Sequence, residues 1–502
     1  MKIYAASFNP RAADIAANAE NIIRLLKTAS AQADLLLLPE AALTGCPLYD
    51  LFDDKRLMKQ NLDALKEIAR HTKDIACVLG YLDYEAKEPA TAAAFIYKGK
   101  ITKIFDSDSV EMKGKTLQIC LGDIAQYKSA PDADAVLNLY ALPYRRGETP
   151  ARMDAFKKAA KKFGAPLLSL NLLGGGDGLV FDGRCAALNR KGGFTFIGGQ
   201  FAEQAFVWDS EEKAAEIPFK YDETEELLEA LSFSIHDQVV KCGMDKVVLG
   251  LSGGLDSAVV AVLAARALGG ESVWAVGMPF RYTSELSKQL AEALAKNLKI
   301  NHERIPIGPA FEAVKAGVLH ISSHPKDLTE QNLQARLRAN VLMTLSSELD
   351  AMVLSCGNKS EAAVGYCTLY GDTCGGLMPL GDVYKSDLYK LAQHINKERE
   401  IIPQGIIDRA PTAELATGQT DQDTLPPYPV LDKIIRAYWE EQLPAAEIAK
   451  KYKIAKHTVA DVVARIDGTD FKRRQCPPIT QTSRFALTER LRPTAKKITH
   501  LW

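Results

Sequence analysis

The chain has no excess of either charge. Its 62 lysines and arginines stand against 63 aspartates and glutamates, a formal net charge of −1 with a pI near 6.7. A general electrostatic pull toward DNA or an anionic membrane is thereby excluded. It also has no uncharged apolar run of 18 residues, so no membrane-spanning helix is expected. The opening Met1-Lys2-Ile3-Tyr4-Ala5-Ala6 lacks the apolar stretch of a signal peptide. Its nine cysteines form no C-x-x-C pair, which argues against a disulfide framework or an ordinary zinc site, and a reducing cytoplasm fits best. Internal repeats and low-complexity segments are missing too. What is present is the balance of a globular protein, 47% hydrophobic and 25% charged over 502 residues, too long for one ordinary core. Two large domains are expected.

The first two hundred residues alternate short apolar runs with helical patterns. Strands are expected at 34–38, 75–79, 94–97, 117–121, 135–139, 166–170 and 194–198, with a helical apolar face at Ile22, Ile23, Leu25 and Leu26. Strands outnumber helices, which predicts a layered α/β sandwich. Around 209–226 the chain becomes charged and loses its periodicity, so the domains are set at 1–215 and 216–502. Beyond the boundary a helix from Glu225, a run at 246–251, a helix at 258–268, a strand at 273–278 and a helix at 284–298 predict a doubly wound parallel sheet.

The most informative stretch is Gly250-Leu251-Ser252-Gly253-Gly254-Leu255-Asp256-Ser257, where a buried run meets two glycines and a helix starts at about Ser257. Glycines let the backbone turn tightly, and their N–H groups with a helix N-terminus make an anion site suited to phosphate. Asp256 would repel a phosphate unless Mg²⁺ stood between them, so a metal–nucleotide complex is implied. The loop is not the G-x-x-x-x-G-K-[ST] of kinases and GTPases. Ser-Gly-Gly-x-Asp-Ser resembles the loop of the ATP pyrophosphatases, which adenylate a substrate and release pyrophosphate.

Further residues resemble glutamine-dependent NAD⁺ synthetases within that superfamily. They are Thr329-Glu330-Gln331-Asn332-Leu333-Gln334-Ala335-Arg336, Gly357-Asn358-Lys359-Ser360-Glu361 and Gly365-Tyr366-Cys367-Thr368-Leu369-Tyr370-Gly371-Asp372. Pro379-Leu380-Gly381-Asp382-Val383-Tyr384-Lys385, Pro411-Thr412-Ala413-Glu414-Leu415 and Gln419-Thr420-Asp421-Gln422-Asp423-Thr424-Leu425-Pro426-Pro427-Tyr428 complete the string, which runs in order from about residue 225. The resemblance implies ATP-dependent amidation of deamido-NAD⁺ (nicotinic acid adenine dinucleotide) through an adenylate, with ATP as co-substrate and Mg²⁺ as cofactor. It implies that Asp256 and Glu361 hold the metal and that Lys385 reaches the ATP phosphates. Cys356 stands where the family has an ATP-contacting threonine. Asn332, Glu361, Asp372 and Lys472 fall where the family touches the dinucleotide. Taken alone, Lys385 reads as a surface charge and Lys472-Arg473-Arg474 as a solvated basic run. Cys356, Cys367 and Cys374 match no zinc spacing and read as buried free thiols.

Before the boundary, Leu35-Leu36-Leu37-Leu38-Pro39-Glu40 resembles the segment carrying the catalytic glutamate of nitrilase-type amidohydrolases, and Tyr49-Asp50-Leu51, Asn138, Pro143-Tyr144, Asn171, Gly174-Gly175 and Phe181-Asp182-Gly183 continue the likeness. That family needs a lysine and a cysteine as well. The lysine stretch is missing, because 99–105 passes almost directly into Ser107-Asp108-Ser109. Alignment on Asp123-Ile124 puts Leu121 where the cysteine belongs. Cys120 is one residue away, which in a strand turns the side chain to the opposite face. Lys103, Lys113 and Lys115 lack the right context. The domain reads as an inactive glutaminase fold with Glu40 vestigial, serving packing and homo-oligomer assembly, and ammonia is the expected nitrogen donor. The alternative is glutamine with Cys120 as nucleophile. A remote rival is a nucleotide-sensing DNA-binding regulator, because Ala445-Ala446-Glu447-Ile448-Ala449 through His457-Thr458-Val459 scans like a helix-turn-helix. No nucleic-acid or membrane partner is expected.

Overall fold

The computed structural model describes residues 1–85, 87–127, 132–318, 327–488 and 493, and these divide into two compact units, Met1–Glu223 and Thr224–Trp502.

In the first unit the strands are β1 (Lys2–Ala6), β2 (Leu35–Leu37), β3 (Ala76–Glu85), β4 (Glu88–Tyr97), β5 (Lys100–Ile104), β6 (Ser107–Met112), β7 (Lys115–Leu121), β8 (Ala135–Tyr140), β9 (Leu167–Asn171), β10 (Leu173–Gly176), β11 (Leu179–Asp182), β12 (Cys185–Leu188), β13 (Phe194–Ile197) and β14 (Ala205–Asp209). The helices are α1 (Ile15–Ser30), α2 (Lys55–Arg70) and α3 (Thr149–Phe163). Among the described residues the strands make two six-stranded sheets, ordered β14-β1-β2-β3-β4-β5 and β13-β12-β9-β8-β7-β6, and a small β10-β11 ribbon.

Side-chain alternation builds the layers. Leu35 and Leu37 join Ile119, Leu121, Leu137 and Leu170 in a core between the sheets, while Leu36 and Leu38 face α1 and α2 through Ile22, Leu26, Leu65 and Ile68. On the other sheet Cys120, Val136 and Tyr140 face Met153, Phe156 and Ala160 of α3. The result is a helix–sheet–sheet–helix sandwich. It explains the unbroken leucine run, since β2 is buried on both faces. The short strands β1, β5, β6, β10, β11, β12 and β14 were not among the expected ones.

In the second unit β15 (Lys246–Gly250), β16 (Val273–Gly277), β17 (Asn301–Arg304) and β18 (Ala351–Val353) pair in parallel in the order β17-β16-β15-β18. Helices α4 (Glu223–Lys241), α5 (Leu255–Leu268), α6 (Glu285–Leu298), α7 (Gly308–Val318) and α8 (Asp327–Leu349) lead through the sheet. They are followed by α9 (Lys359–Val364), α10 (Lys385–Ile395), α11 (Gln404–Asp408), α12 (Tyr428–Ile435), α13 (Ala445–Tyr452), α14 (Lys456–Gly468) and α15 (Asp470–Arg473). The sheet is wound one way through β16 and β17, then resumes on the other side of β15 with β18. The switch point therefore opens beyond the carboxyl ends of β15 and β18, where open α/β sheets bind ligands.

The helix-turn-helix scan at 445–459 finds a real helix pair, α13 and α14. However, Val459, Val462, Val463 and Ile466 of α14 are buried with Trp439 and Leu431, so the apolar stripe of the second helix belongs to the unit's core. No described helix is long and apolar enough to cross a membrane.

Candidate functional site

At the switch point is a cavity of about 660 Å³. Gly250, Leu251, Ser252, Gly254, Leu255, Asp256 and Ser257 line it, as do Cys356, Glu361, Asp372, Lys385, Asn332 and Lys472. Of the expected residues, Gly253 alone is not on the wall. Its role is in the backbone: φ is +78°, and a Cβ there would come within 2.3 Å of the Ser287 carbonyl oxygen. Only glycine makes that turn without strain.

Beyond Gly253 the loop is held by its own hydroxyls. The Gly254 N–H donates to Ser252 Oγ at 3.2 Å, and Ser257 Oγ donates to the Gly254 carbonyl at 3.1 Å. Helix α5 starts at Leu255, two residues before the expected point, with Gly254 as its N-cap. The N–H groups of a 14-residue helix thus open into the cavity beside the glycines, an arrangement suited to phosphate.

Opposite the loop, the turn after β18 supplies the acid. Asn358 caps α9, its Oδ1 accepting from the Glu361 N–H at 3.0 Å, while its Nδ2 donates to Asp256 Oδ1 at 2.7 Å. One amide therefore holds the Asp256 carboxylate and the backbone that bears Glu361. Lys385, the first residue of α10, fills the space between them. Its ammonium is ion-paired with Asp256 Oδ2 and lies 3.2 Å from Glu361 Oε1. Its side chain is only 4% exposed, a placement a cation tolerates only beside such partners. Burial opposes the ammonium, yet Asp256 and Glu361 together outweigh it and raise the lysine's pKa. Burial pushes Glu361 up to about 7 despite Lys385, helped by Asp256 and Asp421. Asp372 Oδ1 accepts from the Thr368 N–H at 2.7 Å.

Two carboxylates converging on one cation are a suitable donor set for Mg²⁺, which takes one or two carboxylates together with substrate phosphates. Among the described residues no group of three or more histidine, cysteine or acidic side chains could hold a metal unaided.

Two readings of the residues taken alone need adjustment, the basic run and the cysteines. Lys472 is not part of a solvated run: its Nζ donates to the carbonyls of Gly365 and Cys367, each at 2.7 Å, so it braces the turn that carries Asp372. Arg473 beside it is buried and donates to the Ala363 and Ile466 carbonyls. Cys356, Cys367 and Cys374 are free but half-buried, because they line the cavity.

Sequence reading also missed residues. Asn358 and Tyr428 stood inside quoted strings without a role, and Asp421 likewise. Tyr428 Oη donates to Asp421 at 2.7 Å and lies 3.3 Å from Glu361, and the Lys385 ammonium sits 5.3 Å from the centre of its ring. Arg338 was in no string. It is half-buried at the cavity wall, donates to the Met278 carbonyl at 3.1 Å, and has its pKa lowered to about 10 by loss of solvent around the guanidinium.

In the first unit Glu40 follows β2, and its carboxylate accepts the Ala141 N–H at 3.0 Å and a bond from Thr91, with burial raising its pKa. Cys120 faces α3 while Leu121 faces the inter-sheet core. The Cys120 thiol is fully buried, 3.4 Å from Ser107 Oγ, and pushed up to about 11 by burial and then by Asp106. The thiol that senses Glu40 is Cys46, which burial also pushes up to about 11. The three nearby lysines are engaged elsewhere: Lys103 with Asp83 at 2.7 Å, Lys113 with Asp34 at 2.5 Å, and Lys115 with Glu211 at 2.8 Å.

Residues 218–476 match the family model for NAD synthase. A glutamine-dependent NAD(+) synthetase of Thermotoga maritima is 34% identical, over 95% of each chain. That alignment spans 547 positions, more than the 502 residues here, so the relative carries segments this chain lacks. A solved glutamine-dependent NAD+ synthetase from Acinetobacter baumannii, in complex with adenosine diphosphate, superimposes with a TM-score of 0.77 at 30% identity, covering 98% of this chain and 97% of its own. One from Cytophaga hutchinsonii does so at 0.85 with 20% identity, over 97% and 96%.

Proposed function

Because the chain belongs to the NAD synthase family, we propose that it takes ammonia directly as its nitrogen donor and that its first unit no longer releases ammonia from glutamine. The chain is a carbon–nitrogen ligase that makes NAD⁺ from deamido-NAD⁺ and ATP. The nicotinate carboxylate attacks the α-phosphorus and displaces pyrophosphate; ammonia then attacks the acyl-adenylate carbon and displaces AMP.

The residues divide this work as follows. The N–H groups of the loop from Ser252 to Ser257 hold phosphate at the start of α5. Asp256 and Glu361 would hold Mg²⁺, which would offset the charge on the phosphates. Lys385, freed from one carboxylate, reaches the phosphates and stabilises charge at phosphorus. Backbone at Cys356 continues the nucleotide site. Asn332, Glu361 and Asp372 contact the dinucleotide, with Lys472 bracing their turn. Assembly as a homo-oligomer in the cytoplasm belongs to the same reading.

The observation that carries the choice of donor is the orientation of β7. Cys120 and Leu121 face opposite sides of the sheet, and among the described residues the exposed thiolate, adjacent base and oxyanion lysine of an amidase are not brought together. A second reading, glutamine as donor with Cys120 as nucleophile, is favoured by the names of the relatives. Steady-state NAD⁺ formation with ammonium chloride or glutamine as donor separates the two. Ammonium is expected to support synthesis, and glutamine almost none, with no glutamate released. Equal rates with both donors, and loss of only the glutamine rate in Cys120→Ser, would establish the second reading instead.

A further inference from the structure

We propose that Asp432 is a positioning residue that fixes Lys385 and Glu361 relative to each other. The inference rests on the role given to Lys385 above. Asp432 lies on α12 and is 5% exposed. Its two carboxylate oxygens are shared between the segments that bear the reacting side chains. One accepts from Ser360 Oγ, and the other accepts from the Ser386 N–H at 3.0 Å. Ser360 Oγ in turn accepts from the Lys385 N–H at 2.9 Å.

The first N–H groups of a helix have no partner within it, and its N-terminus favours a negative charge. The N-cap of α10 is Tyr384, whose side chain makes no capping bond. Asp432 supplies what is missing from another helix. It binds the Ser386 N–H directly and the Lys385 N–H through Ser360. Ser360 also precedes Glu361 in α9, so a single carboxylate anchors the backbone of both Lys385 and Glu361. Ser360 is fully buried, and neither it nor Asp432 lines the cavity. The pair acts through the residues it holds.

A reacting group must stay within about 0.5 Å of its productive position, and support from buried neighbours is what keeps it there. Asn at 432 keeps one acceptor oxygen and replaces the other with a donor. The test is a double-mutant cycle on kcat, with melting temperature recorded for each protein. Asp432→Asn is expected to lower kcat about tenfold, with KM for deamido-NAD⁺ changed less than twofold. In a Lys385→Ala background the same change should cost markedly less, because one of the two groups it positions has gone. Ser360→Ala should follow the same pattern, and it decides the matter if Asp432→Asn does not fold. A kcat within twofold of wild type in the folded single variants overturns the inference, as does an equal loss in both backgrounds. If Lys385→Ala itself keeps normal turnover, it is the role of Lys385 that fails. If Lys385→Ala is impaired but Asp432→Asn is normal, only the positioning claim fails.

Discussion

Replacing Glu361 by glutamine is expected to stabilise the ligand-free protein at alkaline pH while disabling it. Glutamine is close in shape to a protonated glutamic acid, so the variant behaves as if residue 361 never ionised. In the native site burial raises this carboxyl from its usual 4.5 to about 7. The folded state therefore holds a proton that the unfolded chain gives up. The stability this lends is complete below pH 4.5 and is lost as the pH rises through 7. At about 1.4 kcal/mol per decade of proton affinity, the full difference is about 3 kcal/mol. Lys385 is already included, since its ammonium pulls the value down and burial still prevails. A unit of this size shifts its melting point by about 2 °C per kcal/mol. Without Mg²⁺ or nucleotide, Glu361→Gln and wild type should melt together at pH 4.5. The variant should melt about 6 °C higher at pH 8, as followed by differential scanning fluorimetry. A gap that does not change with pH, or a wild type that melts higher at pH 8, would refute the argument.

Asp256→Asn should abolish synthesis in a protein that still folds, because the neutral side chain keeps its bond from Asn358 but no longer carries charge; more than a tenth of wild-type turnover at saturating Mg²⁺ would contradict this. Gly253→Ala should raise KM for ATP at least tenfold and destabilise the protein by about 1–3 kcal/mol, through the left-handed φ and the clash with Ser287, and urea titration together with ATP kinetics would reveal a normal loop if one persisted. Cys120→Ser should leave ammonium-driven turnover unchanged, since the thiol sits under α3, and a fall of more than threefold with ammonium would show that it serves the synthetase reaction.

Much of the site was legible because its chemistry is concentrated in short segments at strand ends. Ser252, Asp256, Glu361 and Lys385 could each be placed from neighbours in sequence, and the parallel sheet explains why segments a hundred residues apart meet. Asp432 and Arg338 were not legible, because nothing beside them in sequence marks them; their meaning comes from Ser360, Ser386 and Met278 across the fold. Lys472 was legible only through the resemblance, since a basic run taken alone reads as surface until Gly365, Cys367 and Ala363 are seen to accept from it. In the first unit, period-two alternation was enough to put Cys120 and Leu121 on opposite faces. The edge strands β5 and β6 escaped notice because their polar sequences, with lysines in β5 and acidic residues in β6, lack a clear apolar stripe, as edges commonly do.

Those two strands bear on where such a sandwich can be shortened and keep its shape. β5 is the last strand of one sheet and β6 the last of the other, and only Phe105 and Asp106 join them. An excision at that seam removes chain from the rim of the sandwich. No interior strand loses a neighbour, and β1 still closes on β14, with the Met1 amino group 3.1 Å from Asp209. A lysine segment housed there could be cut out in one step, whereas a cut between β2 and β3 would have taken α2 from the face of the sheet. The seam is thus where the sandwich could be shortened at least cost to the rest of its fold.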